Sequence, residues 1–239
     1  MYSLTRVFGL FVLLSGNTAF ASQKTPVIVE LFTSQGCSSC PRADAVLGEL
    51  SHSGNVIALA CHVSYWDYLG WKDTFSLPAC DSRQQRYSGW MKRHGVYTPQ
   101  MIINGRYQAL GSQKSQVASA VATAAEDEPL LNFSVTVHDK ALEFDFRNLN
   151  LPGRFQLSVF GVGATQTVAI SRGENEGRSI SYHNPVLVYF ESDLATTKTS
   201  ILSLRMYDTS KVKRWVALLQ DTAKGQIVAV GTTAIIHSK

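Results

Sequence analysis

Four cysteines stand in this chain, and their spacing limits the chemistry open to them. Cys37 and Cys40 lie in TSQGCSSCPRAD, residues 33–44, two serines apart and followed at once by Pro41. Such a pair can hold a soft metal ion, close a small structural bridge, or pass electrons between thiol and disulfide. A metal site lacks a second ligand pair at suitable spacing, because Cys61 and Cys80 are not so arranged. A purely structural bridge gains little, since so short a loop loses little entropy on closure. Dithiol exchange asks for one activated thiolate and one resolving thiol, and the surrounding sequence suits both. Copper(I) delivery from the same two sulfurs, and a redox-inert peptide-holding or assembly role, stand as alternatives.

The elements around the pair supply the activation. VIVELF, residues 27–32, is a near-continuous apolar run, as expected of a strand covered on both faces. After the cysteines, Ala45, Val46, Leu47 and Leu50 fall on a helical period. Cys37 is therefore placed at a helix N-terminus, where free amides and the helix dipole favour a thiolate. Cys40, one turn on, can resolve a mixed disulfide. Pro41 fits the first turn, where no amide hydrogen is needed. The Ser-Ser spacer brings no basic group between the cysteines, which predicts a milder oxidant than one with histidine there.

Further along, NVIALACHV (55–63) reads as a second buried strand and ACDSRQQRYSGWMKRHG (79–95) as a helix. PQMIING leads into a hairpin turning at Asn104-Gly105, and SQKSQVASAVATAAEDE reads as a helix capped by Ser112. Beyond Pro129 the period changes to two, in about eight short segments with polar turns. The expected organisation is an α/β domain over 22–128, a mixed sheet flanked by helices, then an all-β antiparallel sandwich-like domain over 129–239.

The order strand, helix, strand, helix, strand, strand, helix resembles the thioredoxin fold. That resemblance implies a cis peptide at Pro99, with Thr98 and Pro99 beside the cysteines and pairing with an extended substrate. It also implies a buried acid beneath the resolving cysteine, relaying its proton. Glu30, inside the apolar strand, is the candidate, at an offset one residue longer than usual. A side chain facing solvent at the strand edge is the alternative for Glu30.

Residues 62–80 form a loop crowded with Tyr65, Trp66, Tyr68, Trp71 and Phe75. So many large apolar groups imply that the loop covers something. Either it packs against one side of the sheet, or Trp66 and Tyr68 line a substrate groove beside Cys37. Cys61 and Cys80 bracket the loop with 18 residues between them. A disulfide there would stabilise by roughly 3 kcal/mol; two free buried thiols, or an electron-relay pair, are the alternatives. His62 reads as a core or loop histidine in preference to a ligand. SRGENEGRSISYHNPV (171–186) is the one charged, glycine-bearing stretch of the second half. Its Arg172, Glu174, Arg178 and His183 face the first half or a ligand, or else belong to a solvated hairpin.

Residues 1–21 have the pattern of an export leader: Arg6, an apolar run from Val7 to Leu14, and Ala19-Phe20-Ala21. The run is far short of the roughly 20 residues needed to cross a bilayer. A periplasmic or secreted protein follows, without stable membrane insertion after cleavage, in a compartment where paired thiols are bridged. The net charge of +4 is carried by scattered Lys and Arg, with no patch suited to nucleic acid. The expected partners are protein thiols or disulfides and a redox partner protein, with no cofactor and no metal.

Four long motifs, ELFTSQGCSSCPRADAVLGEL, HVSYWDYLGWKDTFSLPA, YTPQMIINGR and RGENEGRSISYHNPV, resemble an exported bacterial family known as domain of unknown function 1223. The likeness covers nearly the whole chain after the leader and implies a thioredoxin-like first half. The family pattern carries an aspartate where Ser64 stands, and aromatic or apolar residues at Cys61 and Cys80. A bridge between those two would thus be peculiar to this chain.

Overall fold

The computed structural model describes residues 25–138, 141–194, 201–205 and 209–234. The expected leader lies outside them. Strands β1 (Val27–Thr33), β2 (Val56–His62), β3 (Gln100–Ile103) and β4 (Tyr107–Leu110) form a four-stranded sheet in the order β2-β1-β3-β4. β1 and β2 run parallel, while β3 is antiparallel to both β1 and β4. Helices α1 (Cys40–Ser51), α2 (Pro78–Trp90) and α3 (Lys114–Glu126) complete this half. The β3–β4 turn uses Asn104 and Gly105 at φ 49° and 64°, the left-handed pair that a tight hairpin requires. α3 begins one residue later than the Ser112 cap predicts: Gln113 caps it, and no side chain serves that end.

The second half contains β5 (Leu131–Asn132), β6 (Ser134–His138), β7 (Ala141–Asp145), β8 (Phe155–Gly163), β9 (Gln166–Ala169), β10 (Ser179–Tyr182), β11 (Val186–Leu194), β12 (Ile201–Arg205), β13 (Val212–Asp221) and β14 (Ile227–Thr232). They make sheets of five strands (β11-β8-β13-β14-β5), three (β12-β7-β6) and two (β10-β9). Among the described residues ten strands stand in place of the expected eight, for two local reasons. The alternating run 131–138 breaks at Phe133, so β5 joins one sheet and β6 another. The charged stretch 171–186 supplies β10 from Ser179-Ile180-Ser181-Tyr182.

All seven residues of β1 are buried, because each face has its own cover. Val27, Val29 and Leu31 pack with Ala43, Val46 and Leu47 of α1 and Val117 and Ala124 of α3. On the opposite face, Ile28, Ile57 and Leu59 meet Phe160 and Val162 of β8 and Val216 and Leu218 of β13. The far side of the five-stranded sheet carries Leu157, Val159, Ala217 and Leu219, which pack on Leu142 and Phe144 of β7 and Val135 of β6. Four layers result: α1 with α3, the mixed sheet, the five-stranded sheet and the three-stranded sheet, with α2 on the Glu30 side of the mixed sheet. Burying Ile28, Ile57 and Leu59 alone is worth up to about 5–9 kcal/mol. A typical domain is stable by about 5–15 kcal/mol in total. Neither half can therefore leave this face bare.

One polar island interrupts the shared face. The Arg83 guanidinium, fully buried, donates to both carboxylate oxygens of Glu30 at 2.5 and 2.9 Å. It also donates to the Tyr87 hydroxyl at 2.9 Å and crosses to Ser158 Oγ at 2.9 Å and Gln220 Oε1 at 3.2 Å. Every charge is matched, which is the condition under which buried ions are tolerated.

Candidate functional site

Cys37 and Cys40 form a disulfide with Cα atoms 5.4 Å apart, Cys40 being the first residue of α1. Cys37 sits in the turn just before the helix, and the Cys40 amide donates to its carbonyl at 3.2 Å. Both sulfur-bearing residues are nearly enclosed, at 2% and 0% exposure, while Ser38 and Ser39 lie outside. Hydroxyls converge on Cys37 Sγ: Thr98 Oγ1 donates to it at 3.3 Å, and Ser39 Oγ lies 3.4 Å away. Trp66 Nε1 donates to Thr98 Oγ1 at 2.8 Å, so the threonine hydroxyl is free to aim its own proton at sulfur. The Thr98–Pro99 peptide is cis, and Pro99 is buried. Thr98 thus meets Cys37 with Trp66 behind it, and Pro99 follows Thr98 in the chain. Tyr68 is 78% exposed and makes no such link.

Glu30 stands elsewhere. It shares the face of β1 with Ile28 and Phe32, opposite the face that α1 covers, and its carboxylate is held by Arg83 and Tyr87. It does not lie beneath Cys40. The acid on the helix side is Asp44, four residues after Cys40 and so on the same face of α1. Its carboxylate is 3% exposed and accepts one hydrogen bond, from Thr33 Oγ1 at 2.9 Å. Burial pushes its pKa up to about 7 against the pull of nearby His62. His62 is buried as expected of a core histidine, with Nδ1 2.7 Å from Asp73 Oδ2. Burial opposes its protonated form, yet the charge and hydrogen bond of Asp73 outweigh that and raise its pKa. Asp44 Oδ2, His62 Nε2 and Tyr182 Oη are buried with no hydrogen-bond partner. Sequence reasoning passed over Asp44; the one available signal was an aspartate on an otherwise apolar helical stripe, at i+4 from Cys40.

The aromatic loop both packs and reaches the site. Phe75 is buried against His62 and Tyr182, and Trp71 Nε1 donates to Gln35 Oε1 at 2.9 Å. Asp73 Oδ2 accepts from the Gln35 amide at 2.8 Å, tying the loop beneath residues 33–37. Cys61 and Cys80 are bridged, with Cα atoms 5.6 Å apart. Ser64 holds Asp81 through its amide and hydroxyl, at 2.8 and 2.5 Å.

The second half also reaches the dithiol. The loop between β9 and β10 brings Glu174 Oε2 within 2.9 Å of the Ser38 amide, which donates to it. Asn175, 1% exposed, donates from Nδ2 to the carbonyls of Gln35 and Cys37, each at 2.9 Å. β10 rests along α1, where the His183 ring lies against Gly48; a Cβ there would stand 2.7 Å from Cδ2 of the ring.

The family model described as protein of unknown function (DUF1223) matches residues 28–220. The chain belongs to the DUF1223 family. The DUF1223 match spans both halves and every residue of the site described above. A crystal structure of an Agrobacterium tumefaciens protein is similar at 30% identity and a TM-score of 0.69, covering 92% of this chain and 97% of that one. HBP35 of Porphyromonas gingivalis shares the fold at 12% identity and a TM-score of 0.61, covering 89% of this DUF1223 chain and 76% of its own. No curated protein matches this DUF1223 chain. Among its described residues no helix is long and apolar enough to cross a membrane, and no group of three or more His, Cys, Asp or Glu side chains could hold a metal ion.

Proposed function

We propose that this protein is an exported thiol-disulfide oxidoreductase, acting in the periplasm or outside the cell on protein thiols or disulfides. The single observation that carries the reading is the convergence on Cys37 Sγ of the Thr98 hydroxyl, held by Trp66, at the mouth of α1. A donor aimed at sulfur stabilises the thiolate, as does a helix N-terminus. The reading includes a thioredoxin-like domain over 22–128, supported by the β2-β1-β3-β4 order, and a sandwich-like domain over 129–239, supported by the core between its two larger sheets.

In the forward direction, the Cys37 thiolate attacks one sulfur of a substrate disulfide. A Cys37–substrate bond forms and the second substrate sulfur leaves as a thiolate. Cys40 then gives up its proton, attacks Cys37 Sγ, and releases the first substrate sulfur; Cys37 and Cys40 are left oxidised and the substrate carries two thiols. Asp44, with a pKa near 7, is the group suited to take the Cys40 proton. Glu30, held by Arg83 on the other face, has a structural role in this scheme. Thr98 and Pro99 present the backbone to an extended substrate, with Trp66 behind them.

The test is reduction of insulin and refolding of a scrambled disulfide substrate. Cys37→Ser should return both to the uncatalysed rate, and Cys40→Ser should accumulate a mixed disulfide visible by mass. Turnover that survives Cys37→Ser, or a native protein without turnover in either assay, refutes the function.

A further inference from the structure

A nucleophile that exchanges with outside thiols needs exposure and negative charge, and the second half of this chain restricts both. Residues 173–177 close over the turn that holds Cys37. Asn175 is buried between the carbonyls of Gln35 and Cys37, and its Oδ1 accepts from Arg178 at 2.7 Å. Gly173 and Gly177, at φ +79° and +78°, bracket the tip in a conformation that side-chain-bearing residues rarely adopt. Glu174 places a carboxylate on the Ser38 amide, one residue from Cys37 and within the positive field ahead of α1. That hydrogen bond keeps the Glu174 carboxyl below its ordinary pKa, so it is ionised at neutral pH.

We propose that Glu174 is a positioning residue for the dithiol: its carboxylate opposes the Cys37 thiolate, and with Asn175 it forms a cover, supplied by the second half, that keeps the pair closed. The inference rests on the dithiol reading of Cys37 and Cys40. Of the other charged groups near the turn, Arg42, Arg172 and Glu176 are exposed to solvent, and the rest are matched or turned elsewhere. Asp73 is paired with His62 beneath Gln35, Asp44 lies on the inner face of α1, and Arg178 is tied to Asn175. Glu174 is thus the charged side chain that is hydrogen-bonded to this turn from the solvent side. Two like charges at this end of the helix disfavour each other, so reduction and ionisation of Cys37 weaken the Glu174–Ser38 contact. The same coupling makes the closed cover favour the disulfide.

Glu174→Gln separates charge from shape, because the amide oxygen can still accept from Ser38. With both proteins reduced by excess dithiothreitol, alkylation is followed from pH 4 to 10 and located at Cys37, apart from Cys40, by the fragment masses of the peptide that carries both. That readout excludes Cys61 and Cys80. The variant should react about three- to tenfold faster at a pH below the thiol pKa, a fall of roughly half to one pKa unit. The gap should narrow in about 1 M salt, since Glu174 is exposed. Asn175→Ala, in oxidised form, should be reduced faster by dithiothreitol at an unchanged Cys37 pKa. Superimposable pH profiles for the parent and Glu174→Gln at low salt overturn the inference, since a merely structural loop would leave them so. The function and the inference fail separately: a shifted profile without insulin turnover removes the first alone, and turnover with coincident profiles removes the second alone.

Discussion

Replacing Asp44 by asparagine should change how stability responds to pH. Asp44 is buried on α1, accepts one hydrogen bond from Thr33, and leaves Oδ2 without a partner. Burial raises its pKa from 3.8 to about 7 in the folded protein. An acid whose folded pKa exceeds its unfolded one binds its proton more tightly when folded. Its contribution is fully present below the unfolded value and is lost as pH rises through the folded one. Three pKa units or so correspond to a loss on the order of 4 kcal/mol between pH 4 and pH 8. Asparagine keeps a carbonyl for Thr33 and carries no charge to desolvate. Urea titrations at pH 4.5, 6 and 8 should therefore find the two proteins within about 1 kcal/mol at the acid end. The variant should be more stable by several kcal/mol at the alkaline end. Titrations remote from Asp44 cancel in the difference; that of His62, which the Asp44 charge helps to keep protonated, does not cancel fully. A stability difference that stays flat from pH 4.5 to 8 would refute the burial argument, and with it the case for Asp44 as a proton acceptor at neutral pH.

Two other substitutions probe how the halves are joined. Arg83→Met strands the Glu30 carboxylate in the shared face and should cost about 3–5 kcal/mol in chemical denaturation, with Glu30→Gln in the same chain recovering part of it. Gly48→Ala sets two effects against each other: about 1 kcal/mol of helix propensity gained, against overlap with the His183 ring at 2.7 Å, worth about 1–3 kcal/mol. The overlap should win, and adding His183→Ala should turn the same change stabilising.

Much of this arrangement is written locally. The apolar run of β1, the α1 period behind Cys40 and the Asn104-Gly105 turn each follow from a few neighbouring residues, and each is found where expected. The aromatic loop also signals its packing, through Phe75 and the half-buried Tyr65, Trp66 and Trp71, though not the exposure of Tyr68. What the sequence conceals is which face a polar residue takes. Glu30 and Asp44 are both acids among apolar neighbours, and only the two covers of β1 decide that Glu30 meets Arg83 while Asp44 stays on the side of the dithiol. Contacts across 136 positions, such as Glu174 with Ser38, leave no periodic trace at all. The break at Phe133 is hidden for a similar reason: the alternation of residues 131–138 is unbroken, and the change of sheet is set by strands far along the chain.

The direct stacking of the mixed sheet on the five-stranded one bears on how the polypeptide comes together during synthesis. Ile28 and Leu59 are made early, but the strands that cover them, β8, β13 and β14, reach as far as Val230 in the order of synthesis. β1 and β2 can pair as soon as they emerge, yet the back of their sheet stays uncovered until almost the whole described chain has followed. A nascent chain therefore carries an open apolar surface for most of its production. Native assembly is a late event in which both halves close together.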